Sequence, residues 1–370
     1  MSARILNNPG TITSVGVAFP EHVRTNDWWE HHHPQVVARH REALLAKVWA
    51  DHAWPPAGAS TYDQCIAPYL EDPFRGTIER RWMGPDDSAQ SMELAAATAA
   101  LEAGGLEGRD IDLVLVNALR PDTHVLGDGA YLMRELGMRV PAINFESACS
   151  SAIVGFHLAS DLVRAGRYRR IMVIACSTYT RDVDPDNTFS WFLGDGAAAF
   201  VVEPAREPGH GLLGAHTIPT LETCGIFYHE LALVDGAPRV MIRATRRAGK
   251  AIRDNSEVYL RTCVDGALSE AGVGLDDIDF LVVNTPTAWY AEFCAKVLGF
   301  EMSQIIDNYP RFANCGPALW GNNLHTAISE GRVKPGDLVL GYSIGSVSTA
   351  SAVVFRAGEI AVGGRVTSQP

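Results

Sequence analysis

Residues 110–117 read Asp-Ile-Asp-Leu-Val-Leu-Val-Asn, and residues 277–284 read Asp-Ile-Asp-Phe-Leu-Val-Val-Asn. Each stretch follows an Ala/Gly-rich segment typical of a helix end, and its apolar run is typical of a buried strand. A second pair of similar segments occurs at 165–175 and 330–342, where a Gly-Arg dipeptide precedes another apolar run. The two pairs are offset by 167 and 165 residues. Two pairs in register indicate an internal duplication.

The duplicated order of helix, buried strand, helix and buried strand predicts two fused α/β halves. A repeat of this length is too long for one unit of a solenoid. We place the halves at 1–205 and 206–370, because prolines and glycines cluster around their junction. Each half is expected to contain a mixed five-stranded sheet. The two central helices are expected to start at Cys149 and at Asn314.

Bulk composition excludes several classes of protein. The 370 residues carry a net charge of −12 and are 47% hydrophobic, which fits a globular chain without a nucleic-acid-binding surface. No apolar run approaches the roughly 20 residues that span a bilayer, so we expect a cytoplasmic protein with no membrane contact. The seven cysteines are scattered and lack CxxC pairs, which indicates reduced thiols and neither a disulfide framework nor a metal site.

The duplication brings three polar residues together. Cys149 opens the central helix of the first half, and Asn314 occupies the equivalent position in the second. Asn284, the counterpart of Asn117, ends a strand. Sites in parallel α/β folds lie outside such strand ends, so Cys149, Asn284 and Asn314 are expected to converge.

Cys149 is the candidate nucleophile. The segment 145–156 ends an apolar strand, turns through small residues and begins an apolar helix at the cysteine. The positive end of the helix dipole favours the thiolate there. Taken alone, a cysteine among Ala and Ser is more often a small core residue.

The motifs around Cys149 favour the nucleophile over a small core residue. In order and spacing they resemble β-ketoacyl-ACP synthase III of the thiolase superfamily. The motifs are Gly76-Thr77-Ile78-Glu79-Arg80-Arg81, Asp184-Pro185-Asp186, Gly194-Asp195-Gly196-Ala197-Ala198, Arg311-Phe312-Ala313-Asn314 and Val333-Lys334-Pro335-Gly336-Asp337.

The resemblance implies a thiolase fold with αβαβα layers and an enzyme that needs no bound cofactor. An acyl group would pass from acyl-CoA or an acyl carrier protein to Cys149. Backbone N–H groups of Cys149 and of Ile344 or Gly345 would form an oxyanion hole. The resemblance also implies acyl-donor binding by Arg75. In a homodimer, Leu126 would enter the partner's acyl pocket.

The clearest departure from the family is Asn284, which stands where the family has its catalytic histidine. A carboxamide can donate or accept a hydrogen bond but cannot act as a general base. It could hold a thioester oxygen, or it could only cap the turn before Pro286. A structural role is the expectation for each of four other histidines, His157, His216, His229 and His325. Among them His216 and His229 could reach the site, and His229 is the candidate alternative base.

Further departures concern the acyl donor. Asn187, Trp289 and a residue near Glu71 stand where the family uses two arginines and a tryptophan. An insertion at about 28–72 contains Trp28, Trp29, Trp49 and Trp54, and four of its histidines (31–33 and 40) are expected on a solvated helix face.

Three functions stay open. The first is an acyltransferase of specialised metabolism whose acceptor is not a malonyl carbanion. The second is decarboxylative Claisen condensation of the 3-oxoacyl-ACP synthase III type. The third is a non-catalytic thiolase-fold subunit, against which the intact Cys149 argues.

Overall fold

The computed structural model describes residues 8–48, 58–234 and 236–364, and two tryptophans of the predicted insertion, Trp49 and Trp54, lie outside these ranges. The strands in the described residues are β1 (Gly10–Ala18), β2 (Val23–Thr25), β3 (Glu79–Arg81), β4 (Leu113–Ala118), β5 (Ala142–Asn144), β6 (Ile171–Thr178), β7 (Asp195–Pro204), β8 (Gly211–Pro219), β9 (Phe227–Val234), β10 (Ala237–Ala244), β11 (Phe280–Val283), β12 (Leu338–Ile344), β13 (Thr349–Arg356) and β14 (Ala361–Gly363).

The α-helices in the same ranges include two long central ones that follow the predicted site residues. They are α1 (Asn26–His32), α2 (Pro34–Val48), α3 (Thr61–Ile66), α4 (Ala89–Ala103), α5 (Gly129–Glu135), α6 (Ser151–Arg164), α7 (Ala248–Ala271), α8 (Tyr290–Leu298), α9 (Tyr309–Phe312) and α10 (Ala318–Ser329). Within the described residues, no helix is both long and apolar enough to cross a bilayer.

Two large sheets form the framework. The first has the order β14-β1-β7-β6-β4-β5, and the second has the order β11-β12-β13-β8. In each sheet a parallel pair continues into antiparallel strands: β4 pairs with β6 as β11 pairs with β12. Because β7 and β8 belong to different sheets, the chain changes sheets between Pro204 and Gly211.

The strand count differs from the predicted five in each half. The first sheet gains β14, which pairs in parallel with β1 near the end of the chain. The second sheet has no counterpart of β5. An isolated bridge between Leu281 and Ile305 stands where the first half pairs Leu115 with Ile143. One bridge does not extend into a ladder, so that position contributes no strand.

The layers follow the predicted αβαβα order. Helix α4 packs on the outer face of the first sheet, and α7 packs on the outer face of the second. Helices α6 and α10 lie between the sheets and contact both. Their apolar side chains, including Phe156 and Trp320, form the central core with residues of both sheets. The two helices that follow the predicted site residues are thereby fixed at the middle of the molecule.

The segment predicted as an insertion packs on the first half around one tryptophan. Trp29 of α1 is fully buried and contacts Trp82 and Trp191 edge-on or tilted. His31 and His32 are exposed as expected. His40 differs from the prediction, because it packs edge-on against Trp191 and lines a cavity described below.

Candidate active site

Cys149 lies on a strained turn between β5 and α6. It belongs to a single 3₁₀ turn, Ala148–Ser150, and α6 begins two residues later than the predicted helix start. Ala148 has a φ of 51°, a conformation that costs energy for a residue with a Cβ. Such a turn lifts the following side chain out of the strand and points it away from the regular structure.

Asn314 occupies a turn of the same kind in the second half. Ala313 before it has a φ of 55°, and α10 begins at Ala318. The side-chain oxygen of Asn314 accepts a hydrogen bond from the Gly316 N–H at 2.8 Å. The side-chain amide nitrogen is therefore the group that Asn314 can offer to a substrate.

The structure brings Cys149 and Asn314 to one cavity, called here the thiol cavity. Its wall is mostly apolar and is formed by Leu119, Phe189, Leu193, Phe227 and Ile242 together with polar residues of both halves. This is the arrangement on which the predicted fold and the predicted nucleophile depend.

The Cys149 thiol is neutral near pH 7. Burial raises its pKa to about 11, and a hydrogen bond with the Tyr179 hydroxyl at 3.5 Å opposes that rise. The short 3₁₀ turn separates the thiol from the first turn of α6, where the helix dipole would act most strongly. The thiolate expected from the sequence is thus not the resting state.

A second cavity adjoins the first and is called here the donor channel. Phe189, Leu193, Phe227, Asn314 and Ser346 line both. The remaining wall of the donor channel includes Arg75, Trp289, Tyr309 and His40. A group bound in the donor channel can therefore contact Asn314, which also lines the thiol cavity that holds Cys149.

Arg75 is positioned by its own loop. Its Nη1 donates to the Tyr69 carbonyl oxygen at 2.9 Å, and its backbone has a φ of 49°. Half-buried Arg75 has its pKa lowered by desolvation, although nearby Asp72 raises it. The side chain thus presents a partly desolvated positive charge in the channel, as the predicted role in donor binding requires.

Asn284 does not line either cavity, which differs from the predicted convergence. Its side chain is fully buried and forms two hydrogen bonds with one residue. Asn284 Oδ1 accepts from the Ile344 N–H at 3.1 Å, and Nδ2 donates to the Ile344 carbonyl oxygen at 3.4 Å. The carboxamide therefore ties the end of β11 to the end of β12.

The same bonds change the predicted oxyanion hole. The Ile344 N–H is already donated to Asn284, and the Gly345 N–H is donated to the Thr349 carbonyl oxygen at 2.7 Å. Neither group is available to a substrate oxygen in this structure. In the part of the chain that is described, the Ser346 N–H forms no hydrogen bond, and Ser346 lines both cavities.

His229 enters the thiol cavity from the hairpin β9–β10. Its Nε2 lies 3.7 Å from an oxygen of Asp182, a nearly buried residue that also pairs with Arg120. Arg120, Asp182 and His229 all line the thiol cavity. Burial raises the pKa of Asp182, while Arg120 and His229 lower it. Of the four histidines weighed as a substitute base, namely 157, 216, 229 and 325, only His229 lines either cavity.

Leu126 lies outside both cavities of its own chain and is 74% exposed. It is preceded by Val125, which is completely exposed. The Leu126 carbonyl oxygen accepts a hydrogen bond from Asn144 of the edge strand β5. Only a second chain could receive this leucine in an acyl pocket.

Comparisons with known proteins indicate one family. Residues 143–219 match the family model of 3-oxoacyl-[acyl-carrier-protein (ACP)] synthase III, and residues 268–357 match the model of its C-terminal part. The β-ketoacyl-[acyl-carrier-protein] synthase III of Brucella anthropi is 30% identical over 286 residues, which are 76% of this chain and 88% of that protein. The chain belongs to the 3-oxoacyl-ACP synthase III family.

Solved structures confirm the thiolase fold. The synthase III of Thermus thermophilus matches with a TM-score of 0.76 at 22% identity and covers 94% of this chain and 99% of its own. That of Pseudomonas aeruginosa matches with a TM-score of 0.74 at 20% identity and covers 95% and 98%.

The positions that depart from the synthase III pattern have structural roles here. Trp289 is buried in the wall of the donor channel. The Asn187 side chain accepts a hydrogen bond from the Phe189 N–H and so caps the 3₁₀ turn Thr188–Phe192. Neither residue presents a cation to a donor.

Sequence reasoning missed four polar residues of this synthase III site: Arg120, Tyr179, Asp182 and Ser346. Tyr179 directly follows β6, and Arg120 follows β4 by two residues. The rule that sites lie beyond the carboxyl ends of parallel strands could have found both. Ser346 follows the parallel strand β12 by two residues, so the same rule could have found it. Asp182 lies four residues beyond β6 and gave no such signal.

Proposed function

We propose that this chain moves an acyl group from a CoA or carrier-protein thioester to Cys149 and then to an acceptor other than a malonyl carbanion, in specialised metabolism. The observation that carries the proposal is the thiol cavity. It holds the Cys149 thiol and the Asn314 amide, which lie in the two turns before α6 and α10, called here the elbows. The only histidine among its described lining residues, His229, comes from the hairpin β9–β10.

In the first step the sulfur of Cys149 attacks the donor carbonyl. The new C–S bond forms as the bond to the donor sulfur breaks, and the thiol proton leaves with the donor thiol. Asn314 Nδ2 and the Ser346 N–H are the proposed donors to the developing oxyanion. The donor's pantetheine arm would occupy the donor channel beside Arg75.

In the second step the acceptor attacks acyl-Cys149. His229, oriented by Asp182, takes the acceptor's proton, and the C–S bond breaks. The proton then returns to the Cys149 sulfur. This route uses no base at position 284, where an asparagine is tied to Ile344.

Decarboxylative condensation is the second candidate, favoured by the names of the sequence relatives. There the acceptor is a carbanion formed by loss of CO₂, and no proton has to be removed. The two candidates therefore differ in their need for His229.

We also propose a homodimer. Strand β5 is an open edge, and the apolar side chains of Val125, Leu126 and Ile143 are exposed beside it. Exposed edges and apolar patches of this kind favour association. A homodimer would also let Leu126 reach the partner's cavity.

Intact-protein mass spectrometry after incubation with a panel of acyl-CoA and acyl-carrier thioesters tests the first step. We expect one acyl adduct, absent from Cys149→Ala. Cys315→Ala is the matched control, because Cys315 is a buried cysteine beside Asn314 and should not carry the adduct. Turnover by Cys149→Ala at the wild-type rate would show that Cys149 is not the nucleophile.

His229→Ala separates the two candidate reactions. For the acyltransferase we expect acylation to be unchanged and transfer to a protic acceptor to fall by about 10²–10⁴. Release of CO₂ from a malonyl thioester by acyl-Cys149, unaffected by His229→Ala, would establish condensation instead.

A further inference from the structure

A positively charged groove lies beside the thiol cavity and is not used by either step above. Arg120, His124, Arg181 and Arg239 line it, and the rest of its wall is apolar. No acidic side chain is among its described lining residues. The concentration of cations is unusual for a chain with 43 acidic and 31 basic residues. Such a surface attracts an anion.

The groove and the thiol cavity share Arg120. They also share the hairpin, because β9 and β10 supply Phe227, His229 and Ile242 to the cavity and Leu231 and Arg239 to the groove. The donor channel adjoins the cavity through a different set of shared residues, which includes Asn314 and Ser346. Arg75 belongs to the donor channel, and no groove residue does.

The three arginines are not equivalent. Arg120 pairs with Asp182, and Arg181 pairs with Asp122, so both charges are partly neutralised. Arg239 forms no ion pair with any described residue, and its Nη2 donates to the Arg181 carbonyl oxygen at 3.2 Å. This hydrogen bond holds the guanidinium at the groove while most of its donors stay open. Arg239 is therefore the groove arginine whose guanidinium N–H donors remain available to a ligand.

We propose that this groove is a separate entrance for the acceptor, and that the acceptor is a small molecule with an apolar body and a carboxylate. The apolar wall of the thiol cavity suits the body, and Arg239 binds the carboxylate by charge-assisted hydrogen bonds. The proposal rests on the proposed function, since it names the class of acceptor for acyl-Cys149. In the transfer step an amine acceptor forms a C–N bond as the C–S bond breaks, and its proton passes through His229 to the Cys149 sulfur.

Binding of matched probes to the full chain tests the groove without requiring turnover. The probes are ω-amino carboxylates from 4-aminobutanoate to 8-aminooctanoate, whose methylene chains supply the apolar body. Each is paired with its primary amide, and the measurement is isothermal titration calorimetry. We expect at least one carboxylate to bind about tenfold more tightly than its amide, as loss of one charge-assisted contact implies. Arg239→Gln should remove that preference.

Arg243→Gln is the control, because it removes the same charge from the same strand. Arg243 pairs with Glu230 and does not line the groove. The carboxylate preference should survive in this variant. Equal binding of carboxylates and amides throughout the series, or a preference that persists in Arg239→Gln, would overturn the proposal.

A kinetic arm distinguishes the acceptor's carboxylate from the phosphates of the donor. Arg239→Gln should leave acylation of Cys149 unchanged and raise the acceptor KM in deacylation by about tenfold. Slower acylation in Arg239→Gln would assign the groove to the donor and refute the proposal. Absence of any acyl adduct would refute the proposed function alone, because probe binding still reports on the groove.

Discussion

Each half has a strand-end asparagine and an elbow before its central helix, and the two elbows present different side chains. At the strand ends, Asn117 bonds to the loop after β5, and Asn284 bonds to the last residue of β12. Asn117 donates to the Phe145 carbonyl oxygen and to Glu146, both at 3.0 Å, and Asn284 exchanges two hydrogen bonds with Ile344. Both asparagines are buried. The buried hydrogen bonds of both asparagines to the backbone support a structural role for Asn284.

The strand ends of both halves carry the same residue type, asparagine, whereas the elbows carry different ones. Ala148 and Ala313 stand 165 residues apart, and both adopt a positive φ. The same strained backbone presents a thiol in one half and a carboxamide in the other. The Ser343 hydroxyl of β12 donates to the Cys149 carbonyl oxygen at 2.9 Å, and this hydrogen bond links the second half to the elbow of the first. We therefore expect the elbows to carry the chemistry and the strand-end asparagines to stabilise the structure.

The largest expected effect tests the elbow of the second half. Asn314→Ala removes the amide that faces the cavity, so acylation of Cys149 should slow by about 10²–10³, as for loss of one oxyanion donor. The measurement is the acylation rate of intact protein in a rapid-quench experiment. Asn117→Ala is the matched control, because it also removes a carboxamide but one that lines neither cavity. Equal rates in the two variants would contradict the division of roles.

A smaller effect concerns the elbow of the first half. Because the pKa of Cys149 is about 11, the thiolate fraction should rise tenfold for each pH unit between about 6 and 9. Alkylation of Cys149 by iodoacetamide, followed by mass spectrometry, should rise in proportion. Tyr179→Phe removes the hydrogen bond that lowers this pKa, so its alkylation should be several-fold slower at any pH in this range.

Cys149→Ala gives the background from the other cysteines in that experiment. An alkylation rate that levels off near neutral pH would mean that a thiolate is already present, as the helix position suggested from the sequence. Equal rates in wild type and Tyr179→Phe would show that the hydroxyl does not influence the sulfur.

Local sequence was sufficient for the features that repeat. Apolar runs and their offset predicted the two α/β halves, and small residues before Cys149 predicted a turn that presents it. The fifth position of the second sheet could not be predicted, because a single bridge at Ile305 and a strand at Ile143 follow from similar apolar residues. The hydrogen-bond partner of a buried side chain could not be predicted from the sequence either. Asn284 could face a cavity or a backbone, and only the distance to Ile344 decides between them.

Asn284→Ala is expected to change the acylation rate least, and it tests directly whether the strand-end asparagine has a structural role. Loss of the carboxamide leaves buried groups of Ile344 unpaired, so the free energy of unfolding should fall by about 1–3 kcal/mol, as it should for Asn117→Ala. Acylation per folded molecule should stay within about threefold of wild type, because the change frees the Ile344 N–H and removes no donor from the cavity. Urea unfolding and the acylation rate are measured on the same preparation of each variant. Slowing of acylation by 10²–10³ in Asn284→Ala alone would restore the oxyanion role predicted from the sequence and break the equivalence of the two asparagines.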